Sequence, residues 1–269
     1  MSAIKAFNTA NKPRIAVHKF SSCDGCQLAF LNLGESLLTL ANLVEISHFA
    51  EAGPVEPEAE VDIAFVEGSI TTPDEQERIK QVRAHSRYLI TIGACATAGG
   101  LQALRNHANV SEWMAAIYAK PEFIETLPDS TAISEHVRVD FELWGCPVNS
   151  RQIVTAVRAL LFGVTPVQEH DSLCLECKRQ GNICVMVTQQ APCMGPVTQT
   201  GCGALCPSFG RDCYACYGPA ENANPDSLSL RFQGFGLLPE EIARKFLLIN
   251  NNAPVFAEAG QKAKQASHD

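Results

Sequence analysis

The chain has 269 residues, of which 46% are apolar, and a formal net charge of -8 at neutral pH. This length and apolar content suit one large domain or two modest ones with a real core. The acidic balance argues against nucleic-acid binding, which needs a basic surface. No apolar run reaches the roughly 18 residues that span a bilayer, and the first residues carry no secretory or twin-arginine signal. The sequence therefore predicts a cytoplasmic protein with no nucleic-acid or membrane partner.

Residues 1–165 alternate short β-rich runs with helix-like stretches. The runs are continuously apolar, as strands buried on both faces are. The predicted strands are Arg14–Phe20, Leu43–Phe49, Val61–Val66, Tyr88–Ile92 and Val139–Trp144. The predicted helices are Gln27–Leu40, Pro73–His85, Thr97–His107, Ser111–Tyr118 and Asn149–Phe162. Such alternation predicts an α/β domain whose doubly wound parallel sheet has helices on both faces.

Residues 166–269 form a second predicted domain of different character. Eight of the twelve cysteines fall between residues 174 and 216, interleaved with Gly and Pro and without periodicity. A stretch of this kind is mostly irregular and cannot build a large aliphatic core, so another interaction must order it. One amphipathic helix is expected at Glu240–Leu248, and the end, Gly260–Asp269, is expected to fray.

Four cysteines belong to the predicted sheet domain, and each follows the carboxyl end of a strand. They are Cys23, Cys26, Cys95 and Cys146. Because a reducing compartment disfavours disulfides, clustered cysteines there indicate metal ligation or catalysis. The strand ends form one edge of a parallel sheet, where open α/β sheets bind ligands. Four thiolates suit zinc or an iron–sulfur cluster, and their wide separation in sequence, with glycine neighbours, favours the cluster.

The remaining eight cysteines make two further sets of four, so that none is left over. In sequential order the sets are Cys174, Cys177, Cys184 and Cys193, then Cys202, Cys206, Cys213 and Cys216. Bacterial two-cluster ferredoxins exchange their fourth cysteines, but their spacing differs from this one, so the sequential grouping is preferred. Zinc knuckles are the alternative for this region, since zinc would order it without carrying electrons.

Several motifs together resemble the small subunit of nickel–iron hydrogenases. They are Cys23-x2-Cys26, Val66-Glu67-Gly68, Gly93-Ala-Cys95 with Gly99-Gly100, and Gly145-Cys146-Pro147. The segments Cys174-Leu-Glu-Cys177-Lys-Arg and Gly203-Ala-Leu-Cys206-Pro-Ser-Phe-Gly210 look most like the cytoplasmic, NAD(P)-linked heterotetrameric branch, the sulfhydrogenase δ subunits. The similarity extends to about Pro219.

The resemblance implies a flavodoxin-like domain, three [4Fe-4S] clusters and no catalytic residue in this chain. It assigns Cys23, Cys26, Cys95 and Cys146 to a proximal cluster. By motif order, Cys174, Cys177, Cys184 and Cys193 would hold a distal cluster, and Cys202, Cys206, Cys213 and Cys216 a medial one. The implied partners are a large subunit with the nickel–iron centre and iron–sulfur and FAD/NAD(P)-binding subunits. No nickel, flavin or nucleotide is expected on this chain.

Three positions depart from well-known relatives. Cys174 stands where periplasmic members have a histidine as the first distal ligand, and Cys206 can supply a fourth medial thiolate where those members often have proline. Both departures favour three four-iron clusters and a lower-potential chain, which suits exchange with NAD(P). Val148 replaces the second proline that often follows the last proximal ligand, a minor change.

Glu67 ends the third predicted strand on the edge that carries the first four cysteines. A structural role, such as capping a helix or pairing with a partner subunit, is favoured over proton transfer. The seven histidines show no ligand spacing and are interpreted as surface or core residues.

Two other functions stay open at the level of sequence. A complex-I-like quinone-reducing subunit shares the proximal fold, but such subunits typically have adjacent cysteines and lack eight further ligands. A zinc-stabilised interaction module would have no redox role and no colour.

Overall fold

In the computed structural model, residues 12–167 and 170–266 are described. The chain divides into two compact units, Met1–Gln168 and Glu169–Asp269. Among the described residues, every helix is too short or too polar to cross a bilayer.

The first unit is built on a five-stranded parallel sheet. Its strands are β1 (Arg14–Lys19), β2 (Glu45–Phe49), β3 (Val61–Glu67), β4 (Ser86–Ile92) and β5 (Phe141–Leu143). The spatial order is β2-β1-β3-β4-β5, with every neighbouring pair parallel. The direction of winding reverses between β1 and β3, so the carboxyl ends there open a crevice. The predicted flavodoxin-like α/β fold is confirmed.

Six α-helices accompany the sheet in the described part of this unit. They are α1 (Gly25–Leu31), α2 (Glu35–Leu43), α3 (Pro73–Ala84), α4 (Gly93–Ala98), α5 (Val110–Ile117) and α6 (Ser150–Leu161). Short 3-10 helices span Ala50–Ala52, Gly100–His107, Pro121–Phe123 and Ile133–Glu135. The predicted start of α3 is confirmed: the Thr72 hydroxyl accepts from the Glu75 N–H at 3.2 Å, and the Glu75 carboxylate accepts from the Thr72 N–H at 3.2 Å.

Two of the predicted helices were wrong as single elements. The stretch Gln27–Leu40 is interrupted after Leu31, where α1 ends, and Gly34, at φ +57°, is the residue that precedes α2. The stretch Thr97–His107 likewise divides at Gly99, at φ +73°, into the end of α4 and a 3-10 helix. In both places a glycine at positive φ lies at the break, where the apolar periodicity gave no sign of one.

Each face of the sheet packs its own core. On one face the ring of Phe30 from α1 meets the rings of Phe49 and Phe65 edge-on, with centroids 5.8 and 5.0 Å apart. On the other face Ile79 and Val82 of α3 pack in a second core. Burial on both faces explains why the strands have continuous apolar sequences.

The second unit contains short helices in its cysteine-rich part and longer ones after it. The short helices are α7 (Leu173–Arg179), α8 (Val185–Thr188), the 3-10 helix Gly195–Val197 and α9 (Leu205–Ser208). The longer ones are α10 (Pro225–Gln233), α11 (Pro239–Phe246) and α12 (Pro254–Gln265). The mostly irregular character predicted for the cysteine-rich stretch is confirmed.

The helix predicted at Glu240–Leu248 is confirmed as α11, but the fraying predicted from Gly260 was wrong, because α12 continues to Gln265. α10 and α12 flank α11, and each of the three helices begins with proline at its first turn, a start signal that the sequence offered. Gly260 lies buried inside α12, where an added Cβ would come within 2.3 Å of the Leu247 side chain. Glycine is therefore needed for close helix packing. The last three residues, 267–269, lie outside the described part.

Candidate metal centres

The first four cysteines converge at the carboxyl edge of the sheet. Cys23 lies in the turn after β1, Cys26 in α1, Cys95 in α4 directly after β4, and Cys146 in the turn after β5. The N–H of Ala94 donates to the carbonyl of Gly145 at 2.7 Å, which joins the segments that carry Cys95 and Cys146. The Val148 N–H approaches Sγ of Cys26 at 3.5 Å.

Glycine lets the backbone approach these sulfurs closely. A Cβ at Gly93 would lie 2.3 Å from Sγ of Cys26, and one at Gly100 would lie 2.7 Å from Sγ of Cys95. Both glycines have positive φ, +86° and +57°, so a side chain there would be strained as well as crowded. The glycine-rich pattern around Cys95 therefore makes room for a compact group of sulfurs.

The electrostatics of this edge show that the four sulfurs are close neighbours. Burial raises the pKa of the Cys95 thiol to about 12, and the Cys146 and Cys23 sulfurs add to the shift. Burial also raises the pKa of the Cys26 thiol, with Cys95 and Cys146 contributing, and the pKa of the Cys146 thiol, with Cys23 contributing. Four thiolates would repel one another at this buried edge unless a positive charge lay between them. A coordinated metal supplies that charge and thereby deprotonates the thiols.

Glu67 supports the turn that carries two of these cysteines. Its side chain is only 2% exposed, and its carboxylate accepts from the N–H groups of Cys26 at 2.9 Å and Gln27 at 3.1 Å. Burial raises the pKa of the carboxyl group, while these hydrogen bonds act in the opposite direction. Each carboxylate oxygen thus fixes a backbone N–H in the first turn of α1, and this geometry favours a structural role.

In the second unit, the four cysteines nearest its start line one small apolar cleft. Cys174 and Cys177 lie three residues apart on α7, hence on one face, and Cys184 and Cys193 complete the cleft with Leu173 and Ile183. Burial raises the pKa of the Cys174 thiol to about 11, and Cys193, Cys177 and Cys184 contribute in that order. The structure therefore brings together all four members of the set predicted from sequential order.

The last four cysteines are coupled electrostatically in two pairs. The pKa of the Cys202 thiol is raised by burial and by nearby Glu176 and Cys206, which lies on α9. Cys213 is 4% exposed, and burial raises the pKa of its thiol, with Cys193 and Cys216 contributing. These shifts couple Cys202 with Cys206 and Cys213 with Cys216, and the N–H of Cys213 donates to Sγ of Cys193, a member of the preceding set.

Each of these sets offers four thiolates, a donor set that both structural zinc and iron–sulfur clusters use. A tetrahedral zinc with Zn–S bonds of about 2.3 Å holds its sulfurs only ~3.8 Å apart. Among the described residues, no three His, Cys, Asp or Glu side chains are arranged to hold a single ion. All-thiolate donors in groups of four, made accessible by glycine, are the ligands that iron–sulfur clusters use.

A histidine pair near the sheet edge was missed by the sequence interpretation. The rings of His18 on β1 and His48 on β2 stack with centroids 4.7 Å apart, in a cleft of about 420 Å³ that Arg78 also lines. Burial lowers the pKa of His18 to about 3, with His48 and Arg78 adding to the shift. The available signal was the position of each histidine one residue before the end of a strand, on strands that proved to be neighbours.

Comparison with known proteins agrees with this architecture. Residues 23–160 match the family described as NADH ubiquinone oxidoreductase, 20 Kd subunit. Sulfhydrogenase 2 subunit delta of Pyrococcus furiosus is 34% identical over 234 residues, which cover 86% of this chain and 97% of that protein. The NAD-reducing hydrogenase HoxS subunit delta of Cupriavidus necator is 27% identical over 178 residues, which cover 61% of this chain and 85% of that protein.

Among solved structures, an NAD+-reducing [NiFe]-hydrogenase in the H2-reduced state contains a similar chain. The sequence identity is 31% and the TM-score 0.55, and the alignment covers 59% of this chain and 96% of that one. Together with the fold and the cysteine sets, these similarities show that the chain belongs to the family of hydrogenase small subunits, within the wider NADH ubiquinone oxidoreductase 20 kDa subunit family.

Proposed function

We propose that this chain relays electrons through three [4Fe-4S] clusters in a nickel–iron hydrogenase. The catalytic large subunit would oxidise H2 or reduce protons, and an iron–sulfur and flavin module would exchange the electrons with NAD(P). The observation that carries the proposal is the gathering of Cys23, Cys26, Cys95 and Cys146 at one sheet edge, in a family of hydrogenase small subunits. Cytoplasmic location and the absence of a catalytic residue in this chain belong to the same proposal.

The three ligand sets are proposed as the sequential ones. Cys23, Cys26, Cys95 and Cys146 would hold the proximal cluster, Cys174, Cys177, Cys184 and Cys193 the distal one, and Cys202, Cys206, Cys213 and Cys216 the medial one. The common cleft of the distal set and the electrostatic coupling of Cys202 with Cys206 and of Cys213 with Cys216 support this partition. Because Cys213 contacts Cys193, the competing hypothesis is that the two sets exchange a cysteine ligand.

Bound iron–sulfur clusters would supply reversible one-electron chemistry. The chain's own residues have three tasks in that chemistry. Cysteine thiolates hold the iron, Glu67 orients the Cys26 and Gln27 N–H groups, and glycines such as Gly93 let the backbone come close to sulfur. Burial of the ligands Cys26, Cys193 and Cys213 would exclude water from their sulfurs, which limits reorganisation and helps to set the potentials.

A second candidate is electron transfer in a complex-I-like quinone reductase. The match to the 20 kDa subunit family, which ends at residue 160, favours it for the first unit. The eight cysteines between residues 174 and 216 lie beyond that match and favour the hydrogenase instead. Assaying the purified complex with H2 against NAD+, NADP+ and a soluble quinone separates the two.

The deciding experiment measures iron and acid-labile sulfide per chain after anaerobic co-expression with the large subunit. About twelve of each support three four-iron clusters. About four of each would leave only the proximal cluster and make residues 174–216 a structural region. Zinc without sulfide would refute the electron-transfer role and support the zinc-stabilised interaction module.

A further inference from the structure

One cysteine from each set of the second unit meets in a buried contact. The N–H of Cys213 donates to Sγ of Cys193 at an N···S distance of 3.2 Å. In return, the N–H of Met194, the residue after Cys193, donates to the carbonyl of Cys213 at 3.1 Å. Both cysteines are buried, so water does not compete with either hydrogen bond. The two sets are thus joined directly through the backbone.

Thr198 lies against both sides of this contact. Its side chain is 1% exposed, and its hydroxyl donates to the carbonyl of Met194 at 2.7 Å. The same oxygen accepts a hydrogen bond from the Cys213 thiol at an S···O distance of 3.8 Å. A buried hydroxyl placed between a carbonyl and a ligand sulfur has two acceptors available once the sulfur is a thiolate.

The Cys213 sulfur also accepts a hydrogen bond from the backbone. The N–H of Ala215 lies 3.3 Å from Sγ of Cys213, with Ala215 at φ +61°. Such a donor is present whatever the side chain, whereas the hydroxyl depends on threonine. Thr198 can therefore be changed without removing a ligand.

We propose that Thr198 is a positioning residue, shared by the two cysteine sets of the second unit, that holds the Cys193–Cys213 contact and tunes the reduction potential of the cluster bound by Cys213. This inference rests on the proposed function, because that function supplies the clusters. As a thiolate, Cys213 cannot donate, so the one proton of the Thr198 hydroxyl, which the Met194 carbonyl accepts here, would be drawn toward the sulfur and shared between the two acceptors. Hydrogen bonds to ligand sulfur stabilise the reduced state, which carries more negative charge.

The test replaces Thr198 by valine, which keeps the shape and removes the hydroxyl, and by serine, which keeps the hydroxyl. Both variants are made in the full chain, co-expressed with the large subunit, and titrated by EPR-monitored reduction alongside iron and sulfide analysis. We expect Thr198→Val to retain the native iron content and to move one cluster signal to lower potential. Thr198→Ser should keep the native potential.

Selective loss of roughly a third of the iron in Thr198→Val, with full iron in Thr198→Ser, would also support the positioning role, since one of three clusters would be released. Unchanged potentials at full iron content in Thr198→Val, or equal changes in both variants, would overturn it. If the valine variant does not fold, Thr198→Ala is judged by the same outcomes. Native protein lacking iron and sulfide would instead refute the proposed function, so the two failures are distinguishable.

Discussion

The two units place their cysteines by different physical means. In the first unit, four cysteines from distant parts of the chain meet because a sheet with a core on each face brings the strand ends together. In the second unit, eight cysteines lie within residues 174–216, a stretch with only short helices. The first site is therefore imposed by a fold that has its own core, whereas we expect the second region to need a bound ligand to become ordered.

Removal of the iron should have the largest effect, a difference in amide hydrogen exchange between the two units. Anaerobic chelation should leave the amides of β3 and β4 protected from hydrogen exchange, because their side chains are buried in a core independent of metal. Amides of residues 174–216 should exchange much faster, since bound metal supplies their folding free energy. Hydrogen exchange with peptide mass spectrometry measures both regions in one sample. Equal loss of protection in the two regions would contradict the comparison.

A single substitution should break the first site and spare the second. Gly93→Ala places a Cβ 2.3 Å from Sγ of Cys26 at a φ of +86°, so Cys26 has to move. We expect loss of about four of about twelve iron atoms per chain, with the remaining EPR signals unchanged. Gly210→Ala is the matched control, since Gly210 also has positive φ, +68°, and its Cβ would meet no atom within 4 Å. Full iron in Gly93→Ala would show that this close approach is not required.

A smaller effect is expected from the carboxylate that orients the first ligand turn. Glu67→Gln keeps one acceptor oxygen but turns an amide N–H toward a backbone donor, which should cost about 1–3 kcal/mol of unfolding free energy. Urea titration of the apo chain measures this cost. EPR of the loaded complex should show an altered proximal signal and native signals from the other clusters.

Glu35→Gln provides the control, because Glu35 is exposed in the first turn of α2. It should change the unfolding free energy by only a few tenths of a kcal/mol. Equal effects of the two substitutions would contradict the role assigned to Glu67.

The smallest expected effect is on the pH dependence of the unfolding free energy, through the histidine pair of the first unit. The pKa of His18 is about 3 in the folded chain against 6.5 for a free histidine, so the unfolded chain takes up a proton first as the pH falls. The contribution of His18 to stability is therefore complete above about pH 6.5 and is lost progressively as the pH falls toward 3.

Urea midpoints measured at pH 7.5 and 5.5 test this dependence. The native chain should lose stability between the two values, and His18→Gln should lose less. An equal loss in both chains would show that the buried imidazole does not contribute to the pH dependence.

Much of the fold followed from local sequence. Continuous apolar runs located all five strands, and Thr72-Pro73 located the start of α3. Local signals also placed every cysteine of the first set just after a strand. The errors came where one glycine or proline mattered more than periodicity. Gly99 ends α4, Gly34 precedes the start of α2, and Pro225 and Pro254 begin helices that were not predicted.

The sequence by itself determined the α/β sheet, the edge on which four cysteines meet and the separation of the other eight into a region of their own, because each depends on order along the chain. Only the tertiary structure decided which atoms touch across long separations. Examples are Glu67 on the Cys26 N–H, the His18–His48 stack, and the Cys193–Cys213 contact with Thr198. These contacts depend on strand register, close packing at glycine and the path of irregular backbone, none of which has a periodic signature in sequence.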